Sequence, residues 1–243
     1  QAASVTVDGI NYTTDTKKKT ATVAKYTIVK ATDTTPADTL FYSGDIVIPE
    51  TITVDGEKYT VVATATNSFL DCKDVTSVTL PNTCVTIGRA TFKGCTSLTR
   101  SPLPETVTSV GQGVFNGCTR LEEVTIYPGW SKPVSDEFSN CPNLKRLIIT
   151  SGETPVTMRI NAFGATSEAR TALASIEYIY MGRNVDASLY TNAEQPFHNM
   201  TGLKTLVIGG ETTTIQSTTF QGCTSLNNVT FEPGNVVTGI GSS

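Results

Sequence analysis

The sequence predicts a β-rich solenoid. It would be a right-handed superhelix of stacked coils, with a parallel β-sheet on the concave face, short helical turns or loops on the other wall, and an N-terminal β cap. Three observations predict it. A Phe recurs at positions 69, 92, 115 and 138, a constant spacing of 23 residues. Behind each Phe, two apolar or small residues stand at i and i+2, the alternation of a strand with one buried face. Residues 1–62 lack this repeat and are rich in Thr and Val.

The N-terminal segment reads as strands at Val5–Val7, Ala21–Val29, Asp45–Ile48 and Tyr59–Val62. β-Branched side chains fit a pleated surface. Asp8-Gly9 and Asp55-Gly56 each fall between strand signals, and Asp-Gly suits a two-residue hairpin turn. Lys17, Lys18 and Lys19 are flanked by threonines and read as a solvated turn. Asn11-Tyr12-Thr13 matches a glycosylation triplet, which is too common a pattern to carry a role. A stack of coils needs its terminal core covered. Residues 1–62 are therefore the expected cap, and residues 63–243 the expected repeats.

The repeat units follow in order. They are Phe69, Cys72, Val75, Val78, Leu80; then Phe92, Cys95, Leu98, Ser101, Leu103; then Phe115, Cys118, Leu121, Val124, Ile126. Next come Phe138, Cys141, Leu144, Leu147, Ile149, and at the far end Phe220, Cys223, Leu226, Val229, Phe231. Two degenerate units lie between: Phe163 with Ile176, Ile179, Met181, and Phe197 with Met200, Leu203, Leu206, Ile208. Ile87-Gly88 and Val110-Gly111 lead into their Phe residues. No single coil can bury both of its walls, so the units must stack. The Phe163-to-Phe197 interval of 34 exceeds the repeat by 11. The Ala-rich stretch from Ala162 to Ala174 is an expected short helix, and the polar stretch from Asn184 to Gln195 an expected surface loop.

This pattern, Ile-Gly-x-x-x-Phe-x-x-Cys-x-x-Leu-x-x-Val-x-Leu-Pro, resembles the BspA-like leucine-rich repeats of host-associated anaerobic bacteria. The resemblance covers about residues 63–243 and is weaker over 150–200. It implies a secreted or cell-surface protein of a kind of which some act in adhesion to host or bacterial proteins. N-terminal β segments precede the repeats in similar proteins, which supports the cap.

Composition narrows the function classes. A net charge of −4 provides no basic field for nucleic acid or anionic lipid. No apolar run reaches the roughly 18 residues of a membrane helix, so no membrane insertion is expected of this chain. The opening Gln1-Ala2-Ala3-Ser4 has no basic start, apolar stretch or initiator Met, which points to a processed or trimmed chain. At the other end, Ile240-Gly241 matches Ile87-Gly88 and places a further Phe at about position 245.

Candidate chemistry reduces mostly to structure. Cys72, Cys95, Cys118, Cys141 and Cys223 share one slot, three residues after the Phe. In parallel coils their Cβ vectors do not face each other, so buried free thiols are expected. Cys84 is off-register and is the expected exposed thiol. There is no Cys-x-x-Cys for a metal. His198, the single histidine, occupies a slot that is Lys93, Asn116, Ser139 or Gln221 elsewhere, and reads as a loop residue. Gly111-Gln112-Gly113 lacks the third glycine of a dinucleotide loop. Glu122-Glu123 and Asp136-Glu137 are sequence neighbours, whereas glycoside hydrolysis needs acids converging across a cleft. No cofactor is implied, and an enzyme is the least favoured class.

Two binding readings remain. The first is a protein-interaction module. In each strand the residues flanking the second apolar position point away from the core. They form two columns: Ser77, Arg100, Glu123, Arg146, Tyr178, Thr205, Asn228, and Thr79, Pro102, Thr125, Ile148, Tyr180, Val207, Thr230. Arg146, Ile148, Tyr178, Tyr180 and Val207 make the candidate ligand-binding cluster, since Tyr and Arg are favoured interface anchors. The second reading is a carbohydrate-binding module stacking sugars on Trp130, Tyr127, Tyr178 and Tyr180. A loop from 183–195 or an oligomer partner covering the cluster is the competing account of it.

Overall fold

The computed structural model describes residues 2–237 and the backbone of 239–240. β1 (Ala2–Val7) and β2 (Ile10–Asp15) pair antiparallel through Asp8 and Gly9, both at positive φ, as a two-residue hairpin turn requires. β3 (Thr20–Val23) pairs with β2 across the lysine turn, where the Asp15 carboxylate accepts the N–H groups of Lys17 and Lys18. β4 (Thr27–Val29) and β5 (Asp38–Leu40) form a small hairpin, followed by β6 (Gly44–Val47). β7 (Thr51–Val54) and β8 (Glu57–Thr64) close the Asp55-Gly56 hairpin. β8 also runs parallel to β3, so parallel pairing begins before the first repeated Phe.

From there the 23-residue period becomes spatial. β9 (Val75–Thr79) pairs parallel with β6. β10 (Thr86–Ile87) and β11 (Ser109–Val110) extend β8 as a second parallel ladder. Gly88 and Gly111 follow these short strands because the preceding coil lies against them. A Cβ at Gly88 would sit 2.6 Å from Thr66 N, and one at Gly111 2.6 Å from Arg89 Cα.

β12 (Glu123–Ile126), β13 (Arg146–Ile149) and β14 (Val156–Thr157) come next, then the single helical turn α1 (Ala172–Ser175) inside the Ala-rich stretch. β15 (Tyr178–Arg183), β16 (Val185–Asp186), β17 (Thr205–Glu211), β18 (Thr214–Ile215), β19 (Asn228–Phe231) and β20 (Gly239–Ile240) complete the chain. The principal sheet is parallel, ordered β12-β13-β15-β17-β19. The result is a β-rich leucine-rich-repeat fold with few helices.

The Phe column is the core. Phe69 through Phe197 are all fully buried. Adjacent rings from Phe69 to Phe163 lie 5.4–6.4 Å apart between centroids. Burying each ring contributes roughly 1.5–3 kcal/mol. Each Phe turn is bonded forward, as in Phe92 N–H to Val114 O at 3.0 Å, and the Cys thiol bonds backward. Cys95, Cys118, Cys141 and Cys223 donate S–H to the Phe carbonyl of the preceding coil at 3.1–3.2 Å. The shared slot is therefore a hydrogen-bonding position as well as a packing one.

Several details depart from the sequence reading. Cys84 is fully buried, not exposed. It is in register after all: Val61, Cys84, Val107 and Trp130 recur every 23 residues and are all buried, lining the ladder of β8, β10 and β11. Burial pushes its thiol up to about 12. Tyr42 packs on Phe69 at 5.1 Å between ring centroids and extends the Phe column, although it lies 27 residues away. Around Ser101 the principal sheet thins to one bridge, Arg100 to Glu123, because Pro102 and Pro104 have no N–H to donate. β19 keeps the register, yet Val229 and Phe231 are 46% and 47% exposed. Among the described residues no strand pairs with its outer edge.

Arg183 is a buried cation that composition did not reveal. Its guanidinium donates to the carbonyls of Ile126, Tyr127 and Thr150 at 2.6–3.3 Å. It thereby ties together the C-terminal ends of β12 and β13.

Candidate binding surface

In the principal sheet Leu147, Ile179 and Leu206 point inward and are buried. The residues on either side of them must then face out. Arg146 pairs in register with Tyr178, and Ile148, Tyr180 and Val207 stand side by side on three successive strands. Arg146 is exposed, and the other four are half-buried. All five candidate residues therefore lie on adjacent strands, and a regular parallel register puts them there.

The cluster has its own electrostatics. The Arg146 guanidinium lies 4.1 Å from the centroid of the Tyr178 ring and donates from Nε to Glu123 at 3.0 Å. One side chain thus joins β12, β13 and β15. The exposed ion pair contributes at most about 1 kcal/mol, and its larger effect is to hold the guanidinium over the ring. The Tyr180 hydroxyl donates to Glu232 at 3.0 Å. Burial, with the Glu232 carboxylate beside it, holds this phenol above its ordinary value.

Two participants were missed. Glu123 stands in the outward column read from the sequence, one period before Arg146, but outside the candidate cluster. Glu232 is in neither, and lies 52 residues from Tyr180. Conversely, Trp130 is withdrawn from the surface. It is 3% exposed and packs at 5.9 Å on Phe138, so it cannot act as an open sugar platform. Tyr127 is half-buried against the core.

The insertion does not close over the tyrosines. After β15 the chain enters β16, which pairs with β14 in a separate two-stranded sheet. The segment that follows bonds to Arg159, Gln216 and Thr218. His198 is half-buried in the turn after Phe197, its N–H on Gln195 O at 3.2 Å. Among the described residues no three His, Cys, Asp or Glu side chains converge as a metal site. No helix there is long and apolar enough to cross a membrane.

The chain matches a BspA-type leucine-rich repeat region in six copies, over residues 52–170 and 191–243. Among solved structures it is similar to the leucine-rich repeat protein of T. pallidum, at 19% identity and a TM-score of 0.54, covering 98% of this chain and 86% of that one. A leucine-rich cell surface protein of Faecalibacterium prausnitzii is also similar, at 15% identity and a TM-score of 0.43, covering 96% and 95%. At these identities the likeness reaches the fold and no further. No curated protein matches the sequence.

Proposed function

The chain belongs to the BspA-type leucine-rich repeat family, and on that premise we propose that it is a non-enzymatic binding protein, secreted or displayed at a cell surface. It engages a protein ligand, of host or bacterial origin, through the outward face of its principal sheet. Residues 63–243 form the right-handed superhelix, with an insertion within 163–197, and residues 1–62 cap it. Leucine-rich repeats serve in general as scaffolds for protein interaction, with a fixed core and variable exposed columns.

One observation carries the reading. Three adjacent strands present Arg146, Tyr178, Ile148, Tyr180 and Val207 together on the solvent side. Aromatic, aliphatic and Arg side chains in one patch have the composition of an interface centre. A partner covering it would desolvate the Arg146–Tyr178 pair and strengthen it. The low charged content, 16%, and the Thr-rich strands agree with an exported β protein. The alternative, a glycan stacked on this same face, loses its best aromatic with the burial of Trp130.

The test is a Tyr178→Ser/Tyr180→Ser double variant, measured by surface plasmon resonance on a panel of purified extracellular-matrix proteins. Truncating two anchors should weaken a wild-type interaction by about 100-fold or more, with an unchanged circular dichroism spectrum. A folded variant that binds every wild-type partner normally would place the interface elsewhere.

A further inference from the structure

The principal sheet is parallel, so its strands all enter at one margin and leave at the other. Charge differs between the two margins. Arg100, Glu123 and Arg146 stand side by side at the entering ends, with Lys145 and Glu122 just ahead of the strands. Glu123 is taken by Arg146 Nε at 3.0 Å, and Lys204 by Glu177 at 3.3 Å. Among the described residues Arg100 and Lys145 make no ion pair, and Glu122 is the unpaired carboxylate beside them. The leaving margin is anionic. Glu211 ends β17, Glu232 follows β19, and the cation there, Arg183, is buried against carbonyls. On a chain of net charge −4, the face therefore offers its accessible cations at one margin.

Arg146 is poised for more than its present contacts. The Tyr178 ring holds its guanidinium from one side at 4.1 Å, and Glu123 occupies Nε. Neither terminal nitrogen has a hydrogen-bond partner among the described residues. Two parallel N–H groups in one plane match the two oxygens of a carboxylate. Glu123 already offsets part of the cation, so a singly charged carboxylate fits better than a doubly charged phosphate. Ile148 lies two residues further along the same face, about 7 Å away, and Tyr180 and Val207 flank it. Sugar hydroxyls laid on Ile148 and Val207 would lose water without gaining partners, whereas an aliphatic or aromatic side chain buries well there.

We propose that the face selects an extended acidic segment of a protein partner. An Asp or Glu carboxylate takes the two terminal nitrogens of Arg146, and a large apolar residue two positions away covers Ile148, Tyr180 and Val207. The spacing follows because an extended partner strand repeats its side chains at the same ~7 Å. Glu211 and Glu232 repel the carboxylate from the other margin and so fix the direction of the segment. This rests on the sheet face being the interface.

The probe is a library of random twelve-residue peptides displayed on yeast. It is sorted for binding to the wild-type protein and against binding to Tyr178→Ser/Tyr180→Ser. The surviving peptides are expected to share an acidic residue with a large apolar residue two positions away. In calorimetry, changing that Glu to Gln in a selected peptide should weaken binding to the wild type about ten-fold, the loss of a bidentate charged pair. Arg146→Leu should bind both peptides equally weakly. Arg146→Lys, which keeps the charge but not the fork, should recover only part of the preference. The peptide comparison uses the wild-type protein and needs no variant to fold. Survivors without the acidic residue, with Lys or Arg in its place, or with no fixed spacing overturn this inference and leave the sheet-face reading standing. So does equal wild-type affinity for the Glu and Gln peptides. A preference that persists in Arg146→Leu overturns it too, by placing the carboxylate on another cation. If no peptide survives the sort, this inference and the sheet-face reading fall together.

Discussion

Glu137 stands just ahead of Phe138, in a slot that Ser68, Thr91, Val114 and Ala162 fill in other coils, and all five are buried. Its carboxyl accepts the N–H of Val114 at 3.1 Å and of Val134 at 3.5 Å. Burial outweighs these bonds and pushes its pKa from 4.5 up to about 8. The folded value is thus above the unfolded one, and the native state keeps a proton that the unfolded chain has released. This contribution is complete below about pH 4.5 and is lost as pH rises through about 8. At about 1.4 kcal/mol per pH unit, stability should fall by about 2–3 kcal/mol from pH 5 to pH 7. Urea denaturation across that range should show the slope in the wild type and lose most of it in Glu137→Gln. Parallel curves for the two proteins would mean that this carboxyl ionises freely.

Within a coil, the Phe turn depends on neighbours on both sides. Phe115 has rings at 5.9 Å and 6.4 Å and is fully buried. Phe115→Ala should cost about 3–5 kcal/mol. Phe220 is half-buried, with Phe197 at 5.3 Å as its ring neighbour among the described residues. Phe220→Ala should cost about 1–2 kcal/mol, because its surroundings can relax. Equal losses in chemical denaturation would show that the column does not stabilise by stacking. The same elements mark how far the sequence was legible. The Phe, Cys and strand slots were readable because they repeat the same residue types. The column of Val61, Cys84, Val107 and Trp130 repeats only its inward direction, with three residue types at four positions, so a search by residue type passes over it.

Across the whole molecule the thiols act together. Burial pushes Cys72, Cys84 and Cys141 up to about 12, and Cys95 and Cys118 are also raised by burial. The unfolded thiols lose their protons near 9. Between those values the folded protein holds protons that the unfolded chain has released. Stability from this source is complete below about pH 9 and is lost as pH rises toward 12. With five such groups spread along a stack of coupled coils, the melting temperature should fall steeply above pH 9. Replacing Cys84 and Cys118 by Ala should make that alkaline decline shallower while lowering stability at pH 7. An alkaline limb of unchanged steepness in the double variant would assign the decline to other groups.

By itself the sequence determined the coil length, the identity of the repeating core slots, the two outward columns and the hairpins at Asp8-Gly9 and Asp55-Gly56. These depend on spacing along the chain and on local dihedral preference, which nearby residues set. Tertiary structure alone decided that Tyr42 extends the Phe column, that Arg183 reaches back 57 residues to Ile126, and that Tyr180 meets Glu232. It also decided that the insertion folds away from the sheet face. None of these separations is a multiple of 23. Periodicity relates only equivalent positions in successive coils, and a contact between unlike positions depends on the path the backbone takes between them.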